Sequence, residues 1–387
     1  MIDDGRWVIK TSKTVEYEVV EAADLLNPEN PELSGVPGQL AGTGPRLVIL
    51  DQAIDGLCGG QIRHYFSARG SPADFLTLPT GDEHKTLDNV LQVTSRLNTL
   101  GTSRLSTPPI AIGGGVVQDV AGMAASLYRR GIPYIRVPTT LLGQIDGSVS
   151  AKNGVNYEGH RNRLGTFTPP PRTLIDRGFL ATLPERQISS GLGEALKLAL
   201  VKDPQLFAVL EKYGPYLVAE RLQDSSPKTM TEQPGRITMH RAIAGMAKEL
   251  QKNLWETDLQ RIVDYGHTFS PFIEMKALPE LLHGEAVAMD CVFSAILAKQ
   301  RRLLSEADLY RVINTVESIG LRPSHPLFTD EQALTLALEE TTHHRNNQQI
   351  ITLLDGIGQT IFVNDLTQPE ISAAACRMRD FIATETS

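Results

Sequence analysis

Three residues in the second half of the sequence could together hold a metal ion. Glu194 stands in GLGEALKLAL, His267 in GHTF and His283 in HGEAVAMD, each near small residues that leave room for a ligand. One carboxylate with two imidazoles is a common ligand set for a catalytic zinc with open coordination positions. Taken singly, each histidine would pass for a core residue; the trio predicts a zinc site that could chelate substrate oxygens and lower their pKa.

A lysine accompanies the predicted metal ligand Glu194. Lys197 follows it by three residues, so on a helix the two side chains share a face, and its neighbours in the sequence are apolar. From this segment alone we interpret the two residues as a surface ion pair. The two histidines add the alternative that Lys197 acts beside a metal.

A glycine-rich turn in the first half resembles a nucleotide-binding loop in form. IGGGVVQDVAG, residues 112–122, predicts a strand, a turn and the start of a helix, where free backbone amides could hold a pyrophosphate. Gln118 occupies the place of the third glycine of a GxGxxG fingerprint, so a simple tight turn stays open. Asp51 closes another predicted strand and could bind a ribose, although such residues are more often helix caps.

Polar residues crowd the stretch 137–167, with a shorter polar stretch, PTGDEHKT, at 79–86. Two threonines follow a predicted strand, and several donors then stand among glycines: Lys152, Asn156, Arg161, Asn162 and Arg163. A solvated loop would not need so many donors between apolar strands. We therefore predict a loop that binds phosphate or a polyol.

Short apolar runs alternate with helix-like segments up to about residue 180. RLVILD, PPIAIGGG and PYIRVPTT predict buried strands, so we expect a parallel, doubly wound sheet whose ligands lie beyond the carboxyl ends of the strands. Helix-like segments dominate afterwards. We predict a Rossmann-like α/β domain over 1–180 and a mainly α-helical metal- and substrate-binding domain over 181–387, with surface loops at 27–45 and 223–235.

Composition narrows the possible partners. The chain has 387 residues, a formal net charge of -8 and 41% hydrophobic residues. No basic run suggests nucleic acid or a membrane surface, and no stretch approaches the ~18 apolar residues of a spanning helix. The beginning lacks the apolar region of a signal peptide, so we expect a cytoplasmic protein that acts on small molecules. Three scattered cysteines do not suit a disulfide framework or a cysteine zinc site.

Six stretches resemble 3-dehydroquinate synthase and the wider sugar phosphate cyclases, in the same order and over roughly residues 46–360. They are GGGVVQDVAGMAASLYRRG, VPTTLLGQIDGSVSAKNGVN, NRLGTF, FLATLPERQISSGLGEALKLAL, GHTFSPFIE and LLHGEAVAMD. The resemblance implies an NAD-binding domain, a helical metal domain, a cleft between them and a homodimer.

The resemblance also implies roles for individual residues. Glu194, His267 and His283 match the ligands of Zn2+, with Co2+ as an alternative metal. Lys197, Asp119, Lys152 and Asn162 match substrate-binding positions, and Arg130 matches an arginine that reaches phosphate across a dimer. Together with the strand-end Asp51, the expected NAD contacts are Asp82, Lys85, Gly114, Gly115, Val116, Asp119, Thr139, Thr140, Lys152, Arg161, Phe179, Thr182 and Leu183.

Three departures from dehydroquinate synthases bear on the substrate. Those enzymes have lysine, asparagine and histidine where this chain has Met246, Asp264 and Pro271, so contacts to an acid sugar phosphate are missing and Asp264 would meet its carboxylate unfavourably. The combination resembles the 2-epi-5-epi-valiolone synthases, which cyclise the neutral-headed ketose sedoheptulose 7-phosphate. THHRN resembles their histidine-bearing segment, so we count Asp264 and His344, or else His343, among the catalytic residues.

The reaction implied is conversion of sedoheptulose 7-phosphate to 2-epi-5-epi-valiolone with phosphate release, through transient oxidation by NAD+, β-elimination, reduction and an intramolecular aldol step. Asp82 and Asn153 depart from the usual glutamate and threonine, which leaves the stereochemistry open. 2-Epi-valiolone synthase and desmethyl-4-deoxygadusol synthase are alternatives on the same substrate, and 2-deoxy-scyllo-inosose synthase shares the scaffold. More remote alternatives are 3-dehydroquinate synthase, a glycerol dehydrogenase-type alcohol dehydrogenase, which usually has aspartate at position 194, and an inactive homologue.

Overall fold

The computed structural model describes residues 6–35, 45–104 and 107–382. These residues form ten strands and twelve α-helices. Strands and helices alternate in the first half of the chain, and helices predominate in the second half. The strands are β1 (Glu18–Ala22), β2 (Arg46–Asp51), β3 (Ala73–Leu78), β4 (Ile110–Gly113), β5 (Ile135–Pro138), β6 (Lys152–Tyr157), β7 (His160–Phe167), β8 (Arg172–Asp176), β9 (Ile351–Leu354) and β10 (Thr360–Val363). The helices are α1 (Gln52–Ala68), α2 (Leu87–Thr99), α3 (Gly115–Leu127), α4 (Glu185–Lys202), α5 (Pro204–Ala219), α6 (Pro227–Glu232), α7 (Pro234–Asn253), α8 (Ser270–Lys276), α9 (His283–Gln300), α10 (Glu306–Ser318), α11 (Glu331–His344) and α12 (Gln368–Ile382).

Six strands of the first half form a parallel sheet in the order β1-β8-β5-β4-β2-β3. The chain leaves β2 for β3 on one side and returns to β4 on the other. The carboxyl ends of β2 and β4 therefore flank a topological switch point, where doubly wound sheets bind their ligands. Asp51 ends β2 and Gly113 ends β4, so two of the predicted ligand-binding stretches meet there.

Apolar side chains on both faces of the sheet explain why its strands read as continuous hydrophobic runs. Successive residues of a strand point to opposite faces. Leu47 and Ile49 pack into the apolar cluster that α2 and α3 help to build, whereas Val48 and Leu50 pack with the buried face of α1. The predicted doubly wound α/β architecture of the first half is confirmed.

Helix α9 runs through the middle of the helical second half. Of its 18 residues 14 are buried, as expected of a helix that is apolar all round. It packs against α4, α8, α10 and α12, and the β9-β10 hairpin lies beside it. A mainly helical second half is therefore confirmed, whereas the predicted boundary at residue 180 stays a prediction. No helix among the described residues is long and apolar enough to cross a membrane.

Two stretches predicted as loops have regular structure. In the polar stretch 137–167, β6 and β7 form an antiparallel hairpin whose turn, Glu158 and Gly159, has left-handed φ values of 48° and 76°. Two such residues suit the tight turn that joins antiparallel strands. The stretch 223–235 contains α6 and the start of α7, each begun by a proline, which helices accept in their first turn. Of the loop predicted at 27–45, residues 36–44 lie outside the described residues.

Pro271 lies in the first turn of α8, which begins at Ser270. A proline is favourable there because its missing N–H would have no partner within the helix. The buried carboxylate of Asp290 caps this helix, since its Oδ2 accepts hydrogen bonds from the backbone amides of Phe269 at 2.7 Å and Ser270 at 2.8 Å. Pro271 and Asp290 together fix where α8 starts, three residues after His267.

We expect the cap at Asp290 to make stability depend on pH. Burial raises the pKa of this carboxyl to about 6, although the Ser270 and Phe269 amides favour its charged form. Between about pH 4 and pH 6 the folded chain then binds more protons than the unfolded chain, so stability falls as pH rises through this window. Asn in place of Asp290 should remove this slope, because an amide does not titrate in this range. Its oxygen can still accept both bonds, so the cap is kept. Urea unfolding at several pH values measures the slope.

Alanine at position 290 provides the comparison. It leaves the amides of Phe269 and Ser270 buried without an acceptor, which should cost about 2–4 kcal/mol. An unchanged pH slope in Asp290→Asn would contradict the raised pKa of Asp290, and an Asp290→Ala variant as stable as the wild type would contradict the capping role.

Candidate active site

Helices α4 and α9 cross at two glycines beside the predicted metal ligands. A Cβ at Gly193 would lie 2.3 Å from the carbonyl oxygen of Gly284, and one at Gly284 only 1.8 Å from that of Ser190. Only glycine permits this approach. It brings the adjacent residues together, so that Nε2 of His283 lies 3.2 Å from Oε1 of Glu194.

His267 reaches the same point from the segment before α8. Gly266, which precedes it, has a left-handed φ of 73°, and a Cβ there would lie 2.7 Å from Sγ of Cys291. Nε2 of His267 lies 3.6 Å from Oε1 of Glu194, and its Nδ1 lies 3.2 Å from the carbonyl oxygen of Tyr265. The small residues noted beside each ligand in the sequence are therefore places of close backbone approach.

Glu194, His267 and His283 fit a divalent metal. Each offers one ligand atom, and these atoms lie within 4.8 Å of one another. Glu194 is completely buried, and its oxygens face the Lys197 ammonium at 2.5 Å and the imidazole of His283 at 3.2 Å. A buried carboxylate requires positive charge beside it, and a metal held by the three ligand atoms would add to the charge of Lys197. The donor set suits zinc, with coordination positions left for a substrate.

The ion pair between Glu194 and Lys197 is buried, so its interpretation as a surface pair was wrong. The side chains are 0% and 3% exposed, with Nζ 2.5 Å from Oε2. Burial raises the pKa of Glu194, but Lys197 and the two histidines outweigh it and hold that pKa well below its usual value. Burial lowers the pKa of Lys197, but the carboxylates of Glu194 and Asp146 outweigh it and raise that pKa. The lysine therefore stays cationic.

The two histidines differ in protonation when no metal is bound. Burial and the charge of Lys197 lower the pKa of His267 to about 3, so this imidazole is neutral. Burial also opposes the charge of His283, but hydrogen bonds to Glu194 and Glu274 raise its pKa to about 9. His267 thus has a free lone pair with which to bind a metal. His283 would have to release a proton before it could bind one.

Four of the predicted NAD and substrate residues form a second cluster. The buried Nζ of Lys85 lies 2.5 Å from Oδ2 of Asp119 and 2.5 Å from Oδ1 of Asn162. Asn156 links this group to Asp82, because its side-chain amide donates to the Asp82 carboxylate at 2.9 Å and its Oδ1 accepts from the Asn162 backbone. The structure thereby joins the stretch 79–86, helix α3 and the β6-β7 hairpin.

The glycine turn lies where the sequence places it. Gly114 precedes α3, which starts at Gly115 and continues with Val116, and a Cβ at Gly114 would lie 3.2 Å from the methyl group of Thr140. The backbone amide of Thr139 donates to the Gly113 carbonyl at 3.1 Å. Thr139 and Thr140, at the end of β5, are thus neighbours of the turn.

Gln118 explains why the fingerprint lacks its third glycine. Its Nε2 lies within hydrogen-bonding distance of three backbone carbonyls, at 3.1, 3.1 and 3.0 Å: those of Ala111, Gly113 and Val137. The side chain ties β4 to β5 beneath α3. A glycine at position 118 could not do this.

Asp51 caps α1, as the sequence reading allowed. Its Oδ1 accepts hydrogen bonds from the Ala53 amide at 2.8 Å and from the Thr80 hydroxyl at 2.9 Å. Beyond the end of β8, Phe179 and Thr182 line a groove of about 800 Å³ that is also lined by Ile54 of α1. Leu183 comes next and packs against the core of the helical half.

A chain of ion pairs links the hairpin to the segment before His267. Nζ of Lys152 lies 2.9 Å from Glu256, whose other oxygen lies 2.9 Å from Arg261. Asp264 then pairs with Arg261 at 3.4 Å and with Arg345 at 3.3 Å. Two guanidinium groups therefore offset the charge of Asp264, so the expected repulsion of a carboxylate substrate is weaker than the sequence alone suggested.

Some predicted residues are not joined to these clusters. His344 is 60% exposed and has Glu340 of its own helix as ion-pair partner at 3.8 Å, and His343 is exposed as well. Their neighbour Arg345 is the member of THHRN that reaches Asp264. Arg130 is exposed in the turn after α3, with a left-handed φ of 66°. The roles of His344 and Arg130 stay predictions.

The structure also shows what Asn153 and Asp146 contact or act on. Asn153 faces inward, where its Oδ1 accepts from Arg136 at 2.6 Å and Tyr134 at 3.0 Å beneath the strand that carries Lys152. Sequence reasoning missed Asp146, whose carboxylate acts on Lys197 from the turn Gly143–Gly147. The sequence feature that could have indicated this role is the acidic residue of GQIDG, which lies within the polar stretch 137–167.

Comparison with known proteins shows which family this chain resembles along most of its length. The models described as 3-dehydroquinate synthase N-terminal and C-terminal match residues 75–190 and 191–343. A 2-epi-5-epi-valiolone synthase of Actinoplanes sp. is 45% identical over 370 residues, which cover 95% of this chain and 92% of that protein.

Solved structures agree with the fold. The structure of ValA, the 2-epi-5-epi-valiolone synthase of Streptomyces hygroscopicus subsp. jinggangensis 5008 with NAD+ and Zn2+ bound, matches with a TM-score of 0.89 and 43% identity, over 97% of this chain and 99% of that chain. A 2-deoxy-scyllo-inosose synthase in complex with carbaglucose-6-phosphate, NAD+ and Co2+ matches with a TM-score of 0.74 over 94% of this chain and 97% of that chain. At 23% identity the latter shows a shared fold alone.

Proposed function

The chain belongs to the 3-dehydroquinate synthase family, and within it we propose that the protein converts sedoheptulose 7-phosphate to 2-epi-5-epi-valiolone with release of phosphate. The observation that carries this proposal is the 45% identity to the Actinoplanes synthase along 95% of the chain. The residues Met246, Asp264 and Pro271, which depart from dehydroquinate synthases, support it.

Two cofactors belong to the proposal. Glu194, His267 and His283 would hold Zn2+, with Co2+ as an alternative, and the residues around the glycine turn and Lys85 would hold NAD. When bound, the metal would polarise a substrate alcohol, and NAD+ would accept a hydride and later return it. The apolar wall of the groove at Phe179 and Thr182 suits the flat adenine ring.

Lys197 has the best position to assist the oxidation. Its ammonium lies between Glu194 and the charge of Asp146, in a buried place where charge interactions are strong. It would stabilise the negative charge on the substrate oxygen, which develops as the hydroxyl proton leaves and disappears as the hydride leaves the carbinol carbon.

The hairpin would hold the phosphate that leaves. Lys152 is half exposed and Asn162 lies at the Lys85 cluster, so both can reach a ligand in the cleft, and Arg130 would add a contact from a second copy of the chain.

In the elimination the carbon–oxygen bond breaks, its electron pair leaves with phosphate, and a phosphate oxygen takes the proton from the neighbouring carbon. After the hydride returns, ring opening and aldol closure conserve all remaining atoms. The homodimer and the cytoplasmic location are part of the proposal.

The choice of substrate is the direct test of this proposal. Zinc-loaded protein with NAD+ is incubated with sedoheptulose 7-phosphate or with the acid sugar phosphate used by dehydroquinate synthases, and phosphate and product NMR are followed. We expect phosphate from the ketose and the spectrum of 2-epi-5-epi-valiolone. The spectrum of 2-epi-valiolone or desmethyl-4-deoxygadusol would assign the chain to another branch, and turnover of only the acid would overturn the proposal.

Pro271→His alone should not create 3-dehydroquinate synthase activity. Pro271 is exposed in the first turn of α8, so a histidine there adds one polar group, while Met246 stays apolar and buried and Asp264 keeps its two arginine partners. We expect phosphate release from the acid substrate to stay below about a thousandth of that from the ketose. The triple variant with Met246→Lys and Asp264→Asn is the comparison, and efficient turnover of the acid by the single variant would refute the argument.

A further inference from the structure

Glu274 is a buried carboxylate that the proposed reaction does not use. It lies in α8, at the end of DYGHTFSPFIE, and is 5% exposed. Each of its oxygens has a different partner. Oε2 lies 2.8 Å from Nδ1 of His283, and Oε1 accepts a hydrogen bond from the guanidinium of Arg161. Glu274 therefore bridges a predicted metal ligand and a predicted NAD contact.

The contact with His283 fixes which ring nitrogen carries the proton. Nδ1 has two neighbours, the Glu274 carboxylate at 2.8 Å and the Arg161 guanidinium at 3.4 Å. A guanidinium can only donate and a carboxylate can only accept, so the shorter contact places the proton on Nδ1 and the bond on Glu274. Nε2, 3.2 Å from Glu194, is then the nitrogen available to a metal.

His267 is oriented in a different way. Its Nδ1 lies 3.2 Å from a backbone carbonyl, that of Tyr265, which no substitution of a side chain removes. Among the two histidines of the trio, only His283 has a replaceable carboxylate behind it. A change at Glu274 should therefore alter one ligand and leave the other in place.

Arg161 has donors to spare for a second anion. Its side chain on β7 is 28% exposed, and its contacts with Glu274 and His283 both use Nη1, so Nη2 is not engaged by either residue. A guanidinium carries five N–H donors and suits phosphate groups. Arg161 can therefore contact Glu274 on one side and an anionic ligand in the cleft on the other.

We propose that Glu274 is a positioning residue that couples the metal site to the NAD site through Arg161, an inference that rests on the proposed function of both sites. An NAD phosphate that attracts Arg161 leaves more of the negative charge of Glu274 on His283, whose Nε2 then holds a metal more tightly. Metal and NAD+ each bind more tightly when the other is present. Because binding free energies are linked, the factor is the same in both directions, and we expect it to be about tenfold.

The test measures binding rather than turnover. The Kd of Zn2+ is determined by competition with a chromophoric chelator, with and without saturating NAD+, in the wild type, Glu274→Gln and Arg161→Met. In the wild type NAD+ should lower this Kd about tenfold. Glu274→Gln should raise it roughly 10- to 100-fold and abolish the effect of NAD+. Arg161→Met should bind Zn2+ about tenfold more tightly than the wild type without NAD+, because no cation then competes with His283 for Glu274, and should also lack the effect of NAD+.

Glu285→Gln is the matched control. Glu285 follows His283 by two residues on α9, but it pairs with Arg186 at 2.6 Å and accepts from the Leu282 amide, which glutamine can also do. We expect wild-type zinc binding and wild-type coupling in this variant. The visible spectrum of the Co2+-loaded proteins is a second readout: at saturating metal it should change in Glu274→Gln and not in Glu285→Gln, because only the former alters a ligand.

The outcomes separate this inference from the proposed function. A wild type that binds Zn2+ and NAD+ without mutual effect, or a Glu274→Gln variant with unchanged zinc affinity and coupling, overturns the inference and leaves the proposed function standing. A wild type that binds neither Zn2+ nor NAD+ overturns both.

Discussion

Alanine in place of His283 is expected to remove the metal and the activity together. The site offers three protein ligands within 4.8 Å, and an open site of this kind cannot spare one. His283 also neutralises part of the charge of the buried Glu194, which lies 3.2 Å away. We expect zinc to bind at least about a thousandfold more weakly and phosphate release to fall by at least the same factor. Metal content after gel filtration and the rate of phosphate release measure both effects.

His325→Ala is the control for loss of a buried imidazole. His325 is 7% exposed, pairs with Glu280 at 3.4 Å, and its Nδ1 accepts from the Leu327 amide. Its loss should lower stability by about 1–2 kcal/mol and leave zinc in place. If His283→Ala retained metal and full activity, His283 would have to be removed from the ligand set.

The second large effect is expected for Lys197→Met, which should keep zinc and lose turnover. The ammonium lies 2.5 Å from Glu194 and competes with a metal for that carboxylate, so its removal should leave zinc affinity unchanged or higher. The transition state loses a buried cation beside the reacting oxygen, and removal of one such group typically lowers kcat by about 10²–10³. Metal content and kcat, measured on the same preparation, separate the two effects.

A chelator should expose a structural role of the same lysine. Without metal and without Lys197, only the imidazoles remain to offset the charge of the buried Glu194, which should cost about 3–5 kcal/mol. The thermal midpoint of Lys197→Met should therefore fall more on metal removal than that of the wild type. Lys202→Met is the control, since Lys202 lies on the same helix and pairs with Glu249 at 2.6 Å. Wild-type kcat in Lys197→Met would show that the buried lysine has no part in the chemistry.

The sheet could be predicted because its strands carry their own signal. RLVILD is apolar on both faces and ends in a capping aspartate, and the structure forms β2 over the same residues, Arg46–Asp51. The β6-β7 hairpin had no such signal, because its strands are polar and its turn depends on left-handed φ values at Glu158 and Gly159. The structural place of Pro271 could not be predicted from the sequence, because the start of α8 is fixed by Asp290, which is distant along the chain.

In the site, too, some features could be predicted from the sequence and others could not. Glu194, His267 and His283 could be proposed from residue types and spacing, and the structure brings them together. Whether the pair with Lys197 is buried depends on how closely α4 and α9 pack, which spacing along one helix does not reveal. The partners Glu256, Glu274 and Arg345 were missed because each acts through contacts between segments far apart in sequence.

The number of phosphates released per NAD tests the central claim most directly. Zinc-loaded protein with one equivalent of NAD+ is given an excess of sedoheptulose 7-phosphate, and phosphate and NADH absorbance are followed together. Because each hydride taken is returned, we predict many phosphates per NAD and no net NADH. Accumulation of NADH without phosphate would reveal a dehydrogenase, and release that stops after one phosphate per NAD would contradict the return of the hydride.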